Sequence, residues 1–261
     1  MMKDTYMRKL IESGNRLDGR AFDQYRPVKI DTGIVTSAEG SARVKLGKSL
    51  VVAGVKLDVK EPYPDTPNQG NLMIDGEFIP FASPEFEPGP PSEEAVELAR
   101  VVDRAVRESH CIDLEKLCIT PSELVWAVNI DIHVLDHDGN LIDAACLAAV
   151  AALLTSHFPK FDKEKKAVVR DQKPASGDRL PMADRPVEVT VWKLAGKLLI
   201  DPEMEEQEAA EARVTMATKE DGRLCAMQKG GKGFFTSNEL LQAADLAVEK
   251  GNELRSMLPP L

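Results

Sequence analysis

Residues 122–158 read SELVWAVNIDIHVLDHDGNLIDAACLAAVAALLTSHF, and this stretch decides the fold class. Its first half alternates apolar and polar residues, which is typical of a β-strand with one buried face. The residues of that face are Trp126, Val128, Ile130, Ile132 and Val134. The second half, from Asp143, carries small apolar residues on every side and predicts a helix that is buried on both flanks. A long strand, a turn and a buried helix together indicate an α+β arrangement.

Upstream of this stretch, the sequence predicts a sheet followed by a helix. RPVKIDTGIV (26–35), SARVKL (41–46) and SLVVAGVKLDV (49–59) each alternate with a period of two, so we expect three strands. Ser92 is a favourable N-cap, and acidic residues follow it directly, as the helix dipole favours. We therefore expect a helix from Ser92 to about Ser109.

Downstream, the chain repeats this organisation on a smaller scale. Strands are predicted near 187–194, 196–200, 213–219 and 223–228, and a C-terminal helix follows them. Thr236 and Glu239 have capping-box spacing at the start of that helix. Residues 160–186 form a charged, Pro-containing connector. We expect two strand-meander-plus-helix units, an N-terminal domain (1–159) and a C-terminal domain (187–261), joined by this connector.

Residues 60–91 are unusually rich in proline, with eight of the seventeen prolines of the chain. A Pro-rich segment of this length is either a functional, partner-binding excursion or a rigid surface loop with one edge strand. The sequence leaves both interpretations open.

Composition limits the classes of function. The 43 acidic and 33 basic residues give a formal charge of −10, which argues against binding nucleic acid through overall charge. An anion site must therefore be local. No apolar run approaches the roughly 18 residues that span a bilayer, and the N-terminus lacks a signal-peptide core. We expect a soluble, cytoplasmic protein without membrane contact.

The cysteines and histidines do not predict a metal site or a cofactor. Four widely spaced cysteines fit neither a zinc knuckle nor a redox pair, so we expect buried free thiols. His133 and His137 lie where a strand runs into a turn, not on a metal-binding helix.

A basic stripe is the first feature that could bind a ligand. In the helix ELARVVDRAVR (97–107), Arg100, Arg104 and Arg107 are spaced i, i+4 and i+7 along one face. The alternative is a solvated face on which these arginines pair with neighbouring carboxylates. Arg43 and Lys45 form a second basic set on one face of a strand.

Two further segments have alternative interpretations. KGGKGFF (229–235) could hold phosphate on backbone amides, but it lacks P-loop spacing and is more typical of a tight turn into a helix. DPEMEEQEAAEAR (201–213) could suggest a metal site, but the carboxylates of a polar run usually face water.

Three motifs, in order along the chain, resemble the RNase PH family. They are RLDGRAFDQYRPVKIDTG (16–33), GSARVKLGKSLVVAGVKLDV (40–59) and ELARVVDRAVR (97–107). The resemblance implies a two-part α+β fold, six-membered rings and shortening of RNA from its 3′ end with inorganic phosphate as the nucleophile. The loop KEPYPDTPNQGNLMIDGEF (60–78) most resembles the non-catalytic RNase PH-like subunits of archaeal exosomes.

The same resemblance implies that the catalytic residues are missing. Active members hold phosphate on an Asp-Gly-Gly-Thr-Arg turn, and here Leu141 and Ile142 replace its Thr and Arg. Asp143 is then expected to add a negative charge where the anion would sit. Active members also carry a Glu-Asp pair and, six residues later, a catalytic Asp. Gln207 and Arg213 replace the two aspartates here, so we expect no catalytic residue.

The role implied by the resemblance is that of a non-catalytic ring subunit. It would pair with a catalytic RNase PH-like exosome subunit in a heterodimer repeated into a hexameric ring, help structure that subunit's active site, and associate with RNA-binding cap proteins. Arg100, Arg104 and Arg107, which match the family's basic helix, would contact single-stranded RNA, as would Arg43 and Lys45. Two alternatives stay open: a scaffold that never touches RNA, and an active phosphate-dependent exoribonuclease with an atypical site.

Overall fold

The computed structural model describes residues 2–169 and 178–261, which form two main sheets and a separate two-stranded hairpin, with helices packed between and around the main sheets. The helices are α1 (Met2–Glu12), α2 (Glu93–Glu108), α3 (Leu141–Leu154), α4 (Met204–Ala209) and α5 (Ser237–Arg255). The strands are β1 (Val28–Thr32), β2 (Gly40–Leu46), β3 (Ser49–Lys60), β4 (Asn71–Phe78), β5 (Cys118–Thr120), β6 (Leu124–Asp136), β7 (Lys160–Asp162), β8 (Ala167–Val169), β9 (Val187–Leu194), β10 (Lys197–Ile200), β11 (Ala212–Thr218) and β12 (Leu224–Gly231).

The larger sheet has the strand order β1-β2-β3-β6-β4, and the short β5 also pairs with β6. Neighbouring strands are antiparallel except β4, which runs parallel to β6. The predicted apolar face of β6 is confirmed from Val128 to Val134, where alternate residues are almost completely buried. Trp126 is only half-buried and packs against Phe158 and Phe161.

The smaller sheet has the order β10-β9-β11-β12, with every pair antiparallel. Helix α3 lies between the two sheets and contacts β2 and β3 on one side and β9 on the other. Every residue of α3 except Ile142 is buried, so the predicted burial on both flanks is confirmed. Helix α5 covers β9 and β11.

The predicted bounds of helix α2 are confirmed: it runs from Glu93 to Glu108, between its caps Ser92 and Ser109. The helix lies against β4. The Ser92 Oγ accepts a hydrogen bond from the backbone N–H of Ala95 and caps the helix, which ends at Glu108. Gly76 of β4 allows the close contact, because a Cβ atom there would lie 3.2 Å from the Ala95 carbonyl oxygen. The capping box of Thr236 and Glu239 at α5 is also confirmed.

Several elements differ from the sequence expectations. β4 forms inside the Pro-rich segment and lies at the end of the strand order, as the edge-strand interpretation supposes. The predicted connector contains a hairpin, β7–β8, which no sequence pattern had indicated. Part of that connector, residues 170–177, lies outside the described residues. Within the described part of the chain, no helix is long and apolar enough to cross a membrane.

Candidate functional site

A cavity of about 350 Å³ lies where the start of α3 meets α2, α4, β9 and β11. Its lining includes Leu141, Ile142, Gln207 and Arg213, four of the positions at which the sequence departs from the motifs of active RNase PH enzymes. Two pairs of residues that are at least 65 positions apart therefore meet in one cavity.

The turn before α3 fixes the innermost wall of the cavity. Gly139 has φ +87°, and a Cβ atom there would lie 2.3 Å from the Pro202 carbonyl oxygen, so glycine is required. Asn140 is left-handed, with φ 53° and ψ 45°, and its backbone N–H donates to Gln207 Oε1 at 3.0 Å. A helix N-terminus is a favourable anion site because its N–H groups are free. Here Gln207 already occupies the N–H of Asn140.

Among the described residues, Arg213 is the only arginine of the cavity lining, and it pairs with a carboxylate, although its Nη1 has no hydrogen-bond partner. Arg213 Nη2 donates to Glu97 Oε2 at 2.7 Å, and the guanidinium lies 5.7 Å from the centre of the Trp192 ring. A guanidinium neutralised by its own carboxylate has little attraction left for phosphate. Burial lowers the pKa of His137, another lining residue, so its imidazole is neutral at pH 7.

Asp143 does not lie where an anion would sit, so that expectation was wrong. Its carboxylate is completely buried and accepts hydrogen bonds from Tyr25, Thr190 and Asn140. Burial raises its pKa to about 6. The physical reason is the position of α3, which places residue 143 against β9, in the interior and not in the cavity.

The acidic run 201–213 is also only partly solvated, which corrects the expectation that its carboxylates face water. Asp201 is fully buried and accepts hydrogen bonds from the guanidinium of Arg26 at 2.7 and 2.9 Å. Glu206 is 1% exposed and forms a two-point ion pair with Arg16 at 2.6 and 3.0 Å. These carboxylates bind the segment before β1. Among the described residues, no three His, Cys, Asp or Glu side chains are grouped for a metal ion.

The three arginines of the predicted basic stripe of α2 are exposed, but they differ in whether a carboxylate already pairs with them. Arg104 Nη1 donates to Gln228 Oε1 at 2.6 Å, and Arg100 and Arg104 line a groove of about 450 Å³ between α2 and β12. Arg107 pairs with Asp103 at 2.7 Å and also donates to the Leu72 carbonyl oxygen. The hydrogen bond with Asp103 raises the pKa of Arg107. Arg107 thus fits the solvated-face alternative better than its neighbours do.

Arg43 and Lys45 lie on the other side of the larger sheet. Four residues lie side by side across β2, β3, β6 and β4: Ala42, Ala53, Ile132 and Gly76. Gly76 packs under α2, so this row lies on the face of the sheet that α2 covers. Arg43 belongs to the adjacent row and therefore faces away from α2, and Lys45, two residues on, faces the same way. Arg43 pairs with Asp31 at 2.7 Å. The two basic sets therefore do not form one surface.

Residues 229–231 end β12, and residues 232–235 form a tight connection from it to the start of α5, as the turn interpretation supposes. Gly231 has φ +77°, and the N–H of Gly233 donates to the Glu211 carbonyl oxygen. Of the four cysteines, Cys111 and Cys146 are buried free thiols as predicted, whereas Cys118 and Cys225 are only half-buried. Burial raises the pKa of Cys111 to about 12.

Sequence reasoning did not place Glu97, Trp192 or Glu208 in this cavity. Glu97 is one of the carboxylates near the arginine stripe. Its contact with Arg213 joins positions 116 residues apart, which no local pattern shows. The one signal in the sequence for this contact was Arg213, which stands where active family members have an aspartate. A half-buried arginine needs an acidic partner.

Comparisons with known proteins agree with this geometry. Family models described as "3' exoribonuclease family" match residues 24–159 (domain 1) and 184–250 (domain 2). The "Exosome complex component Rrp42" of Thermococcus gammatolerans is 45% identical over 260 residues, 99% of this chain and 94% of that protein. The protein of that name from Methanocella arvoryzae is 47% identical over 257 residues, 98% of this chain and 95% of that protein.

Solved structures give the same result. A chain of the "archaeoglobus fulgidus exosome with RNA bound to the active site" matches with a TM-score of 0.88 and 42% identity, over 98% of this chain and 97% of the other. A chain of an "Archaeal exosome core" matches with a TM-score of 0.84 and 39% identity, over 98% and 95%.

Proposed function

This chain belongs to the RNase PH family of 3′ exoribonucleases, and we propose that it is a non-catalytic subunit of an archaeal exosome ring. In this role it pairs with a catalytic RNase PH-like subunit, and heterodimers repeat into a hexameric ring that degrades RNA from the 3′ end in the cytoplasm. RNA-binding cap proteins complete the complex. The names of its relatives and of the matching structures support membership of an exosome.

The observation that carries the non-catalytic role is the chemistry of the cavity. Phosphorolysis must hold an anionic nucleophile beside an anionic phosphodiester, which requires cationic or amide donors. It must also stabilise the departing oxygen with an acid or a carboxylate-held metal ion. Here Gln207 occupies the backbone N–H of Asn140, Glu97 neutralises Arg213, and Leu141 and Ile142 offer no donor side chain. Carboxylates do line the cavity, but among the described residues no three acidic, His or Cys side chains are grouped for a metal ion.

RNA contact is assigned to the exposed groove between α2 and β12. Arg100 and Arg104 present guanidinium groups there, and neither has an ion-pair partner among residues 2–169 and 178–261. The groove lining also includes Glu93 and Glu97, and Glu97 pairs with Arg213. RNA contact at Arg100 and Arg104 is compatible with a net charge of −10, because only the groups that meet RNA must be positive. Arg107 stays a weaker candidate for RNA contact, because Asp103 already pairs with it. Arg43 and Lys45 stay candidates on the other side of the larger sheet.

The test measures nucleoside diphosphates released from single-stranded RNA with and without phosphate. We expect none from the purified chain alone, and phosphate-dependent release when the catalytic RNase PH-like subunit is added. In the control, that subunit carries a substitution of its own catalytic carboxylate, and release should stop.

Two results would overturn the proposal. Phosphate-dependent release by the chain alone would show an atypical active site in this chain. Release by the complex with the inactivated partner would lead to the same conclusion.

A further inference from the structure

The segment 229–235, which ends β12 and leads into α5, holds a phenylalanine in contact with solvent. Phe234 is 74% exposed, whereas the ring of the next residue, Phe235, packs against the core. Single exposed apolar side chains are common on protein surfaces, so exposure alone assigns no role to Phe234. Its fixed backbone and the charges around it distinguish this residue.

The backbone that carries Phe234 is held in place by two hydrogen bonds. The N–H of Gly233 donates to the Glu211 carbonyl oxygen at 2.7 Å, and Lys193 Nζ donates to the Phe234 carbonyl oxygen at 3.1 Å. A Cβ atom at residue 233 would lie 2.9 Å from that Glu211 oxygen, so the close approach requires glycine. A ring presented on a fixed backbone loses less conformational freedom when a ligand binds it.

The side chains around this ring are basic. Lys193 Nζ lies 5.1 Å from the centre of the Phe234 ring. Lys229 and Lys232 are exposed, and neither has an ion-pair partner in the described part of the chain. Lys229 Nζ donates to the Gly231 carbonyl oxygen at 2.6 Å, which keeps this ammonium group at the segment.

Glu211 and Glu239 border the segment, and both of their carboxylates are paired. Glu211 forms an ion pair with Arg8, and Glu239 forms one with Lys193, each at 2.7 Å. The ammonium groups of the exposed lysines 229 and 232 are therefore not compensated by these two carboxylates. Such a local positive charge attracts anions even though the chain as a whole is acidic.

An exposed aromatic ring beside unpaired ammonium groups suits single-stranded RNA. Proteins that bind single strands stack bases on aromatic side chains and contact phosphates with basic ones. An acidic peptide would pair with the lysines but would offer no base to the ring. An apolar protein surface would cover the ring but would also desolvate two charges without pairing them. RNA supplies a partner for both kinds of group.

We propose that the segment 229–235 is a second RNA contact of this subunit. A base of single-stranded RNA stacks on the Phe234 ring, and Lys229 and Lys232 contact neighbouring phosphates. The inference rests on the proposed function, because it adds a contact to RNA that is already bound at Arg100 and Arg104.

The test measures binding of labelled single-stranded RNA to the complex with the catalytic subunit, without phosphate and at several salt concentrations. Phe234→Ala should weaken binding by about tenfold, the scale of one stacked base, and should leave the salt slope unchanged because no charge is lost. Phe234→Tyr keeps the ring and should bind as the unchanged chain does. Lys229→Ser, Lys232→Ser should make the slope shallower by about 1.4.

Two matched controls separate these contacts from exposure and charge alone. Phe81 is 75% exposed, but its segment carries Glu85 and Glu87, so Phe81→Ala should leave RNA affinity unchanged. Lys60→Ser, Lys197→Ser removes two exposed lysines that lie outside the segment and should leave the salt slope unchanged.

An RNA without bases at its central positions tests the stacking directly. Phe234→Ala and the unchanged chain should bind this RNA equally, because no base is left to stack. Equal affinities of Phe234→Ala and Phe81→Ala for ordinary RNA would overturn the proposal, as would an undiminished loss with the abasic RNA.

A protein contact at the segment is the competing outcome. If Phe234→Ala releases the catalytic subunit in size-exclusion chromatography, the ring contacts protein and the proposal is wrong. Failure of the proposed function is distinguishable, because it is measured by phosphate-dependent release of nucleoside diphosphates by the chain alone and not by these affinities.

Discussion

Arg213 illustrates how a single residue changes the chemistry of a site while leaving the fold intact. Its guanidinium pairs with Glu97 of α2 and lies against the Trp192 ring, so β11 is joined to α2 by a contact that a carboxylate could not make. Gln207 acts similarly by capping the start of α3 through Asn140. The substituted residues thus contribute contacts of their own.

Glu188 of β9 is a buried carboxyl group that has no ion-pair partner among the described residues. It is 1% exposed, and its Oε2 has no hydrogen-bond partner among the described residues. Burial, and then the neighbouring Asp143, raise its pKa well above the ordinary value. When the folded-state pKa of a carboxyl group is raised, the group does not change the free energy of unfolding at pH values below the ordinary carboxyl pKa, because it is protonated in both states. It destabilises the fold increasingly as the pH rises toward the folded-state pKa.

We therefore expect Glu188→Gln to stabilise the protein at neutral pH. The free energy of unfolding should rise by about 1 kcal/mol or more at pH 7.5 and by less at pH 5, because glutamine has no ionised form that favours the unfolded state. Urea denaturation at both pH values measures this difference. The control is Glu12→Gln on the exposed end of α1, which should change little. A gain that is equal at both pH values would contradict the assignment.

Among the elements, the irregular segment between α1 and β1 has the most buried ion pairs. Arg16 binds Glu206 of α4, and Arg26 binds Asp201, next to the end of β10. Asp201 also accepts from the backbone N–H of Arg26 and from Arg20. These ion pairs hold the segment against the smaller sheet and against the turn before α3. Asn140 of that turn lines the cavity.

Asp201→Asn should loosen this attachment. Asparagine tolerates the left-handed backbone of position 201, where φ is 47°, so the substitution removes charge without new strain. Arg26 would then keep only the less buried Asp138 as an ion-pair partner within the described residues. Removing one member of a buried pair costs about 3–5 kcal/mol, and we expect a loss of that size in urea denaturation.

The matched control is Asp221→Asn, which removes the same charge from an exposed pair with Arg223. Exposed pairs contribute little, so its loss should stay below about 1 kcal/mol. If the two variants lose equal stability, the buried cluster does not hold the segment.

The elements also show what the sequence can and cannot predict. Periodicity was sufficient for β6, α2 and α3, because each is long and its apolar pattern depends only on its own residues. Helix α4 has six residues, too few for a pattern, and its Glu206 is buried only because Arg16 reaches it from 190 residues away. The positions that differ from the motifs of active family members could be found from the sequence, because they occupy fixed places in recognisable motifs. The inward position of Asp143 could not, because it depends on how α3 packs on β9.

At the scale of the whole molecule, charge is distributed by face. The chain is acidic overall, yet Arg100 and Arg104 concentrate positive charge beside β12, and Arg43 and Lys45 do so on the opposite side of the larger sheet. A single RNA strand bound in the α2 groove would leave the second set untouched. The two basic faces can therefore be tested separately.

The last prediction concerns RNA binding by the complex with the catalytic partner. Each phosphate contact made to single-stranded RNA adds about 0.7 to the slope of log affinity against log salt. If Arg100 and Arg104 each contact a phosphate, the variant Arg100→Ser, Arg104→Ser should weaken binding and make the slope shallower by about 1.4. Arg107→Ser should change it less, because Asp103 already neutralises that guanidinium.

The variant Arg43→Ser, Lys45→Ser removes the same charge from the opposite face and is the matched comparison. Fluorescence anisotropy of a labelled RNA at several salt concentrations measures all three slopes. An unchanged slope for Arg100→Ser, Arg104→Ser together with a shallower slope for Arg43→Ser, Lys45→Ser would move the RNA path to the other face. Unchanged slopes for all three variants would leave the subunit as a scaffold, because the loss of a phosphate contact must release fewer counterions whatever the RNA sequence.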